Sequence, residues 1–287
     1  MTRGIDHLVL AVRDLAQARA FYESLGFTLT PRAEHPWGTA NHLVQLNGCF
    51  LELLGVADTA KIPPHEAGEF SFGAFNRDFL ARREGMSMLV FQSQDARRDR
   101  AEFAAAGLQT YAPFDFGRDA KLPDGSTARV AFSLAYVTDP GMPEAAFFAC
   151  QQHAPRYFWK REFQLHANGA RTIAEVVMQA PDPPALADFF ARLQGEDSVR
   201  AEGGTLRVAT ARGRVSVLAP AAVAARFGAP GTGPATPYFA AFRIGGVDCT
   251  SQAARLAAAG IPHRIEGASV VVPASAAFGV AIEFTAT

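Results

Sequence analysis

The chain is predicted to be an α+β protein made of four consecutive βαβββ modules. Three observations lead there. Four times an Asp opens a helix-like stretch that a Gly closes, as Asp14/Gly26, Asp95/Gly107, Asp182/Gly195 and Asp248/Gly260. Each Asp follows an apolar strand-like run (IDHLVLAV, MSMLVFQS, IAEVVMQA and YFAAFRIGGV), and each Gly leads into short runs of strand character. Asp suits a helix N-cap because its carboxylate accepts orphan backbone N–H groups, and Gly suits the left-handed residue after a helix. A single module leaves an apolar sheet face uncovered, so the modules should pair two by two.

In the first module, Leu15, Ala18, Tyr22 and Leu25 recur at three- and four-residue steps, the stripe of a helix lying on a sheet. FTLTP, NHLVQL and CFLELLG follow as strands, the last two joined by the turn signal Asn47-Gly48. The second module reads MSMLVFQS, a helix at 95–106, then LQTYAPF, ARVAFSLAYV and AAFFACQQ, with Pro123-Asp124-Gly125 as a turn in the long hairpin. The third gives TIAEVVMQA, a helix at 182–193, SVRAEG, TLRVATA and RVSVLAP. The fourth gives YFAAFRIGGV, a helix at 248–259, PHRIEG, ASVVVPA and FGVAIEFTA. The stretches 56–84 and 225–237 separate modules within a pair. Residues 153–170, with Tyr157, Phe158, Trp159 and Phe163, form a packed connector between the pairs. The expected division is a first domain at 1–152 (modules 4–55 and 85–152) and a second at 171–287 (modules 171–219 and 238–286).

Composition excludes several functions. Of 287 residues 49% are hydrophobic and 19% charged, the net charge is −1, and Phe is abundant at 23 copies. Without a basic stripe, nucleic-acid binding is not expected. Three distant cysteines, Cys49, Cys150 and Cys249, argue against a disulfide framework or a zinc-thiolate site. No signal-peptide pattern or membrane-spanning run is visible, so a cytoplasmic protein is expected, acting on a small molecule and free to form a homodimer.

The four-module pattern resembles the vicinal oxygen chelate superfamily, and within it the bacterial glyoxalase-like domain group. The residues that carry the resemblance are DHLVLAVRDL at 6–15, LGF at 25–27, HPWGTANHL at 35–43, FLELLG at 50–55, Pro123-Asp124-Gly125, Cys150-x-x-His153 and His166-x-Asn168-Gly169-Ala170. It implies paired modules forming two cupped mixed sheets. It further implies that a first-strand and a fourth-strand residue from each paired module converge on one metal ion.

His7 and Glu52 match that pattern in module one. A carboxylate inside FLELLG is costly to bury unless paired, hydrogen-bonded or metal-bound. Imidazole with carboxylate suits divalent Fe, Mn, Ni, Co or Zn; a hydrogen-bonded core pair is the other reading. Module two departs from the pattern. Met88 replaces His7, and Glu52's counterpart falls around Ala149 to Gln151, so the nearest strong ligand is His153. The candidate metal set is His7, Glu52 and His153, two histidines and one carboxylate. The second domain reads as degenerate, with Glu175, Ser216, Ala241 and Glu283 at the four equivalent positions. That counts against an extradiol dioxygenase, whose ligands the resemblance would place in the second pair.

Candidate substrate contacts are His35, Trp37 and Asn41 in the loop before the third strand, Arg118 and Arg129 as anion grips, and Trp159 closing from the connector. The expected function is a divalent-metal-dependent lyase or isomerase for a small oxygenated metabolite. In that chemistry the metal stabilises an enolate or enediolate and Glu52 serves as base. The alternative is a non-catalytic protein that sequesters a hydrophobic small molecule between its sheets.

Overall fold

A computed structural model describes residues 2–121, 127–228 and 233–287; the turn signal Pro123-Asp124-Gly125 and the Arg118 side chain lie outside the described set. In the first half the strands are β1 (Ile5–Ala11), β2 (Ala33–Glu34), β3 (Thr39–Gln45), β4 (Phe50–Val56), β5 (Gly85–Ser93), β6 (Gln109–Thr110), β7 (Phe114–Lys121), β8 (Thr127–Thr138) and β9 (Ala146–Gln152). They form one mixed sheet in the order β2-β3-β4-β1-β5-β9-β8-β6, with β7 also paired to β8. The second half repeats the plan with β10 (Thr172–Gln179), β11 (Val199–Glu202), β12 (Thr205–Ala209), β13 (Arg214–Leu218), β14 (Tyr238–Gly245), β15 (Arg264–Glu266), β16 (Ser269–Val272) and β17 (Ala281–Thr285). Its order is β11-β12-β13-β10-β14-β17-β16-β15. The four-module fold predicted from the sequence is the fold observed.

In every module the first strand pairs parallel with the last, and the first strands of paired modules meet antiparallel, β1 against β5 and β10 against β14. A parallel pair needs a crossover, which each module's helix supplies. These helices are α1 (Leu15–Ser24), α3 (Ala96–Ala105), α5 (Ala187–Gln194) and α7 (Cys249–Ala258); three shorter or intervening ones are α2 (Phe72–Arg82), α4 (Pro155–Phe158) and α6 (Pro220–Phe227). Three of the four Asp residues cap as expected: Asp14 accepts from Gln17 N, Asp95 from Arg98 N and Asp248 from Ser251 N. Asp182 does not. Pro183 and Pro184 follow it, lack N–H groups, and begin a 3₁₀ turn before α5. Gly26, Gly107, Gly195 and Gly260 all have positive φ, as the helix ends require.

Other expectations shift. FTLTP is not a strand, and the strand after α1 shrinks to Ala33–Glu34. The stretch 56–84 holds α2, and α6 runs into the separator at 225–237 as far as Phe227.

One contiguous core joins both halves. Leu8, Leu10, Leu51 and Leu89 of the first sheet and Val176, Met178, Val217 and Phe242 of the second share it with Tyr22, Phe103, Phe190 and Leu256 of the four crossover helices. Phe147 of β9 bridges directly to Phe189, Phe190 and Phe239 at ring separations of 5.0, 5.9 and 5.5 Å. Each buried ring of this kind contributes about 1.5–3 kcal/mol. The opposite face of each sheet carries a separate apolar cluster, around Phe50, Met88, Phe132 and Phe148 in the first half and Val177, Phe227 and Ala241 in the second. These opposite faces are the cups.

Candidate functional site

His7 reaches the first cup through a backbone irregularity. Ile5 lies opposite Phe91 and His7 opposite Val90, so Asp6 is an extra residue in β1. Bulges of this kind re-aim side chains beside functional sites. Strict alternation would have put Ile5 on the face of His7. Instead Ile5 enters the shared core, whereas Val9 lines the cup cluster. Asp6 is buried, with Oδ1 2.6 Å from His7 Nδ1, while Gln152 Nε2 donates to its Oδ2 at 3.2 Å. The imidazole stacks on Phe50 (centroids 4.1 Å apart, rings at 13°) and meets the edge of Phe148. Its Nδ1 engaged by Asp6, the ring aims Nε2 at Glu52, 3.9 Å from Oε2.

Glu52 is buried in β4, and Asn41 Nδ2 of the neighbouring β3 donates to its Oε1 at 2.7 Å. His35 Nε2 lies 3.9 Å from the same oxygen; its Nδ1 meets Thr39 Oγ1 at 2.8 Å, and its ring stacks on Trp37. These four residues form the polar floor of a cavity of about 60 Å³, walled by Trp37, Phe50, Phe72, Phe116, Phe132, Tyr136, Phe148 and Phe158. Neither lysine nor arginine lines it among the described residues. Three buried polar atoms of lining residues have no hydrogen-bond partner: Trp37 Nε1, Asn41 Oδ1 and Tyr136 OH.

Other predicted contacts fall elsewhere. His153 is exposed, and its Nε2 lies 2.8 Å from Ser133 Oγ, outside the cavity lining. Arg129 is exposed beside Asp119, 3.9 Å away. Trp159 packs on Phe50 and Phe158 and lines a different cleft with Asp6 and Gln152. Arg118 pairs with Val130 through the backbone of β7, and its side chain is outside the described set.

The strand register identifies the missing counterparts. Val9 lies beside Glu52 in the β1–β4 pair, and the equivalent Val90 lies beside Phe148 in β5–β9. Phe148, not a residue at 149–151, is therefore the counterpart of Glu52, and Met88 that of His7; both are apolar and buried in the cup.

The second cup is closed from within. Glu175 and Glu283, at the His7 place of module three and the Glu52 place of module four, converge on one nitrogen. Arg226 Nη2, from α6, lies 2.6 Å from Glu175 Oε2 and 2.7 Å from Glu283 Oε2. Ser216 donates to Glu175 Oε1 at 2.6 Å, and Arg243 to Glu283 Oε1 at 2.8 Å. Burial pushes the Glu175 carboxyl up, but the Arg226 bond and charge outweigh it and hold it at about 2. Glu283 is also lowered; burial opposes this, and the Arg243 and Arg226 contacts prevail. Val223 and Phe227 of the same helix fill the remaining apolar space.

A family model described as a glyoxalase-like domain matches residues 5–194, the whole first sheet and the start of the second half. The chain belongs to the glyoxalase-like domain family. Among solved structures, this glyoxalase-like protein is similar to a hypothetical protein from Staphylococcus aureus (TM-score 0.70, 12% identity, 99% of each chain covered). It is also similar to a mutant 4-hydroxymandelate synthase from Streptomyces coelicolor (TM-score 0.56, 12% identity, 99% of this chain and 92% of that one). A Mn(II)-bound glyoxalase from Novosphingobium aromaticivorans matches with TM-score 0.55, 15% identity and coverage of 100% and 83%. At these identities the likeness concerns the fold. No curated protein matches the sequence.

Such neighbours raise the question of whether this cup fits a divalent ion. Of the four ligand places, two hold donors, His7 and Glu52, and two hold Met88 and Phe148. His153 does not join them. Among the described residues no group of three or more His, Cys, Asp or Glu side chains is arranged to hold an ion. The residues present do not fit a resident four-donor metal centre.

Asp6, Tyr136 and Arg226 were not legible as site residues. Asp6 beside His7 in an otherwise apolar strand was the available signal for a bulge. Tyr136 follows Phe132 and Leu134 by strand alternation in ARVAFSLAYV, so its place on the cup face was open to inference once one of those residues was assigned there.

Proposed function

We propose that this protein is a lyase or isomerase for a small oxygenated metabolite, working by proton transfer in the first cup with Glu52 as general base. The observation that carries this reading is the arrangement of Glu52. One oxygen is anchored by Asn41, while the other faces His7 in a small, aromatic-walled cavity. A carboxylate in such surroundings is poorly solvated and held in one pose, which favours proton abstraction from a carbon acid. Glu52 takes the proton from the carbon next to a carbonyl. The C–H electrons form a C=C bond, and the carbonyl π pair moves to oxygen. For an α-hydroxycarbonyl, His7 relays the hydroxyl proton to the former carbonyl oxygen while Glu52 returns its proton to the neighbouring carbon. The hydroxyl carbon becomes the new carbonyl, and an isomerisation is complete. Alternatively the enolate re-forms its carbonyl as a β-substituent departs with its bonding pair, an elimination. His7 Nε2, steadied by Asp6, accepts the substrate hydroxyl. The first half, 1–152, carries this site, and the second, 171–287, supports it as scaffold.

The test is exchange of α-carbon protons for deuterium in D₂O, followed by NMR on neutral α-hydroxycarbonyl compounds of four or five heavy atoms. Wild-type protein should catalyse exchange, and Glu52→Gln should lower it by about 10²–10⁴-fold, the usual worth of a positioned base. Exchange that survives Glu52→Gln unchanged sinks the reading. Saturable binding with no exchange favours the second reading, a non-catalytic binder, for which the apolar Met88 and Phe148 at the ligand places speak.

A further inference from the structure

The first cup holds polar atoms that its own residues leave unsatisfied. Tyr136 is 1% exposed, yet its hydroxyl has no hydrogen-bond partner. Asn41 spends its amide N–H on Glu52, leaving Oδ1 without a partner in a residue 4% exposed. Trp37 Nε1 is the third such atom. A buried polar group left unpaired costs about 1–3 kcal/mol, so three around one small cavity call for an explanation, and a bound molecule supplies one.

The cavity offers both acceptors and donors of hydrogen bonds. Asn41 Oδ1, Glu52 and the His7 nitrogen accept. Trp37 Nε1 and the Tyr136 hydroxyl donate. Charge narrows the ligand further. Glu52 lies in the cavity and Asp6 directly behind it, and no lysine or arginine lines the space among the described residues. A carboxylate or phosphate ligand would meet these two acidic side chains without a lysine or arginine to receive it.

We propose that Tyr136 is a substrate-binding residue of this cup, donating its hydroxyl proton to a substrate carbonyl oxygen, and that the ligand is a small uncharged α-hydroxycarbonyl compound. The ligand's hydroxyl donates towards His7 Nε2 and Asn41 Oδ1 while its carbonyl accepts from Tyr136. This assignment rests on the proton-transfer reading above and names its substrate class. The phenol is held in its donor form, because burial and the nearby Cys150 and Glu52 all raise its pKa well above the ordinary range. A cavity of about 60 Å³ suits a molecule of four or five heavy atoms or the oxygenated head of a longer one.

The experiment uses hydroxyacetone as probe in the Glu52→Gln background, where binding is read without turnover. It compares hydroxyacetone with the anionic pyruvate in the wild-type protein, where the Glu52 carboxylate is present. Ligand-observed NMR titration measures affinity, and thermal unfolding of the ligand-free proteins runs alongside. Hydroxyacetone should bind saturably in the millimolar range and pyruvate at least about ten-fold more weakly. Tyr136→Phe should weaken hydroxyacetone by about 3–10-fold, the worth of one neutral hydrogen bond. It should leave the ligand-free melting temperature unchanged or raised, since the hydroxyl has no partner to lose. Pyruvate binding as tightly as hydroxyacetone, absent hydroxyacetone binding, equal affinity in Tyr136→Phe, or a lowered melting temperature of that ligand-free variant would each overturn the assignment. Loss of deuterium exchange in the wild type with Tyr136-dependent binding intact would overturn the catalytic reading alone.

Discussion

Replacing Arg226 by Met tests whether a single guanidinium holds the second cup together. Its Nη2 serves two carboxylates at 2.6 and 2.7 Å, and Glu175 is only 2% exposed. Two independent routes give the size of the effect. Holding Glu175 at about 2 instead of its ordinary 4.5 corresponds to about 3 kcal/mol at 1.36 kcal/mol per pKa unit. Removing one partner of a buried ion pair typically costs about 3–5 kcal/mol, because the remaining charge stays buried. Arg214, 3.3 Å from Glu175, and Arg243, 2.8 Å from Glu283, remain in the variant, so the lower end is expected. The pH dependence supplies a second readout. Glu175 has a depressed folded pKa, so its stabilisation is complete above 4.5 and fades as pH falls towards 2. The gap between wild type and Arg226→Met should therefore be about 3 kcal/mol at neutral pH and should shrink below pH 4.5. Urea unfolding at neutral and acid pH measures both. A gap under about 1 kcal/mol at neutral pH, or one that does not change with pH, would refute the reasoning.

Three further outcomes are expected. Asn41→Leu leaves Glu52 Oε1 without its donor and should cost about 1–3 kcal/mol in denaturant unfolding, besides lowering deuterium exchange. Asp14→Ala should cost about 1 kcal/mol through loss of its cap on Gln17, whereas Asp182→Ala should cost less than about 0.5 kcal/mol because Asp182 caps nothing with its side chain. Chelator treatment followed by added Mn²⁺ should move the melting temperature by less than about 2 °C, since His7 and Glu52 alone make a weak site; a shift several times larger would show His35 completing a three-donor set.

The sequence revealed the modules because local chemistry repeats: a carboxylate to start each helix, a glycine to end it, and alternating strands around them. Where local chemistry changes, the repeat breaks. Two prolines after Asp182 replaced a capped start with a 3₁₀ turn. The signals for α6 are present, with Pro220 at its first position and Gly228 at its end, but the expected separator at 225–237 begins inside its last turn. Within the site, His7, Glu52, His35, Trp37 and Asn41 line one cavity, and all five lie within one module. What crosses modules was not legible. The extra residue at Asp6 depends on pairing with β5. The identity of Phe148 as Glu52's counterpart depends on register between β5 and β9. Whether Tyr136 finds a partner depends on everything around it.

The construction of the first cup also bears on how fast it exchanges its contents. Its floor belongs to strands whose other face lies in the core common to both halves, whereas its outer walls come from three separate segments: Phe72 in α2, Phe116 in β7 and Phe158 in α4. Movement of those outer segments alone would open a path to the cavity and would leave in place the floor that orients Glu52 and His7. The protein can thus separate the rate at which it trades ligands from the geometry in which it holds them, and changes in the outer rings should alter residence time before they alter the acid–base alignment beneath.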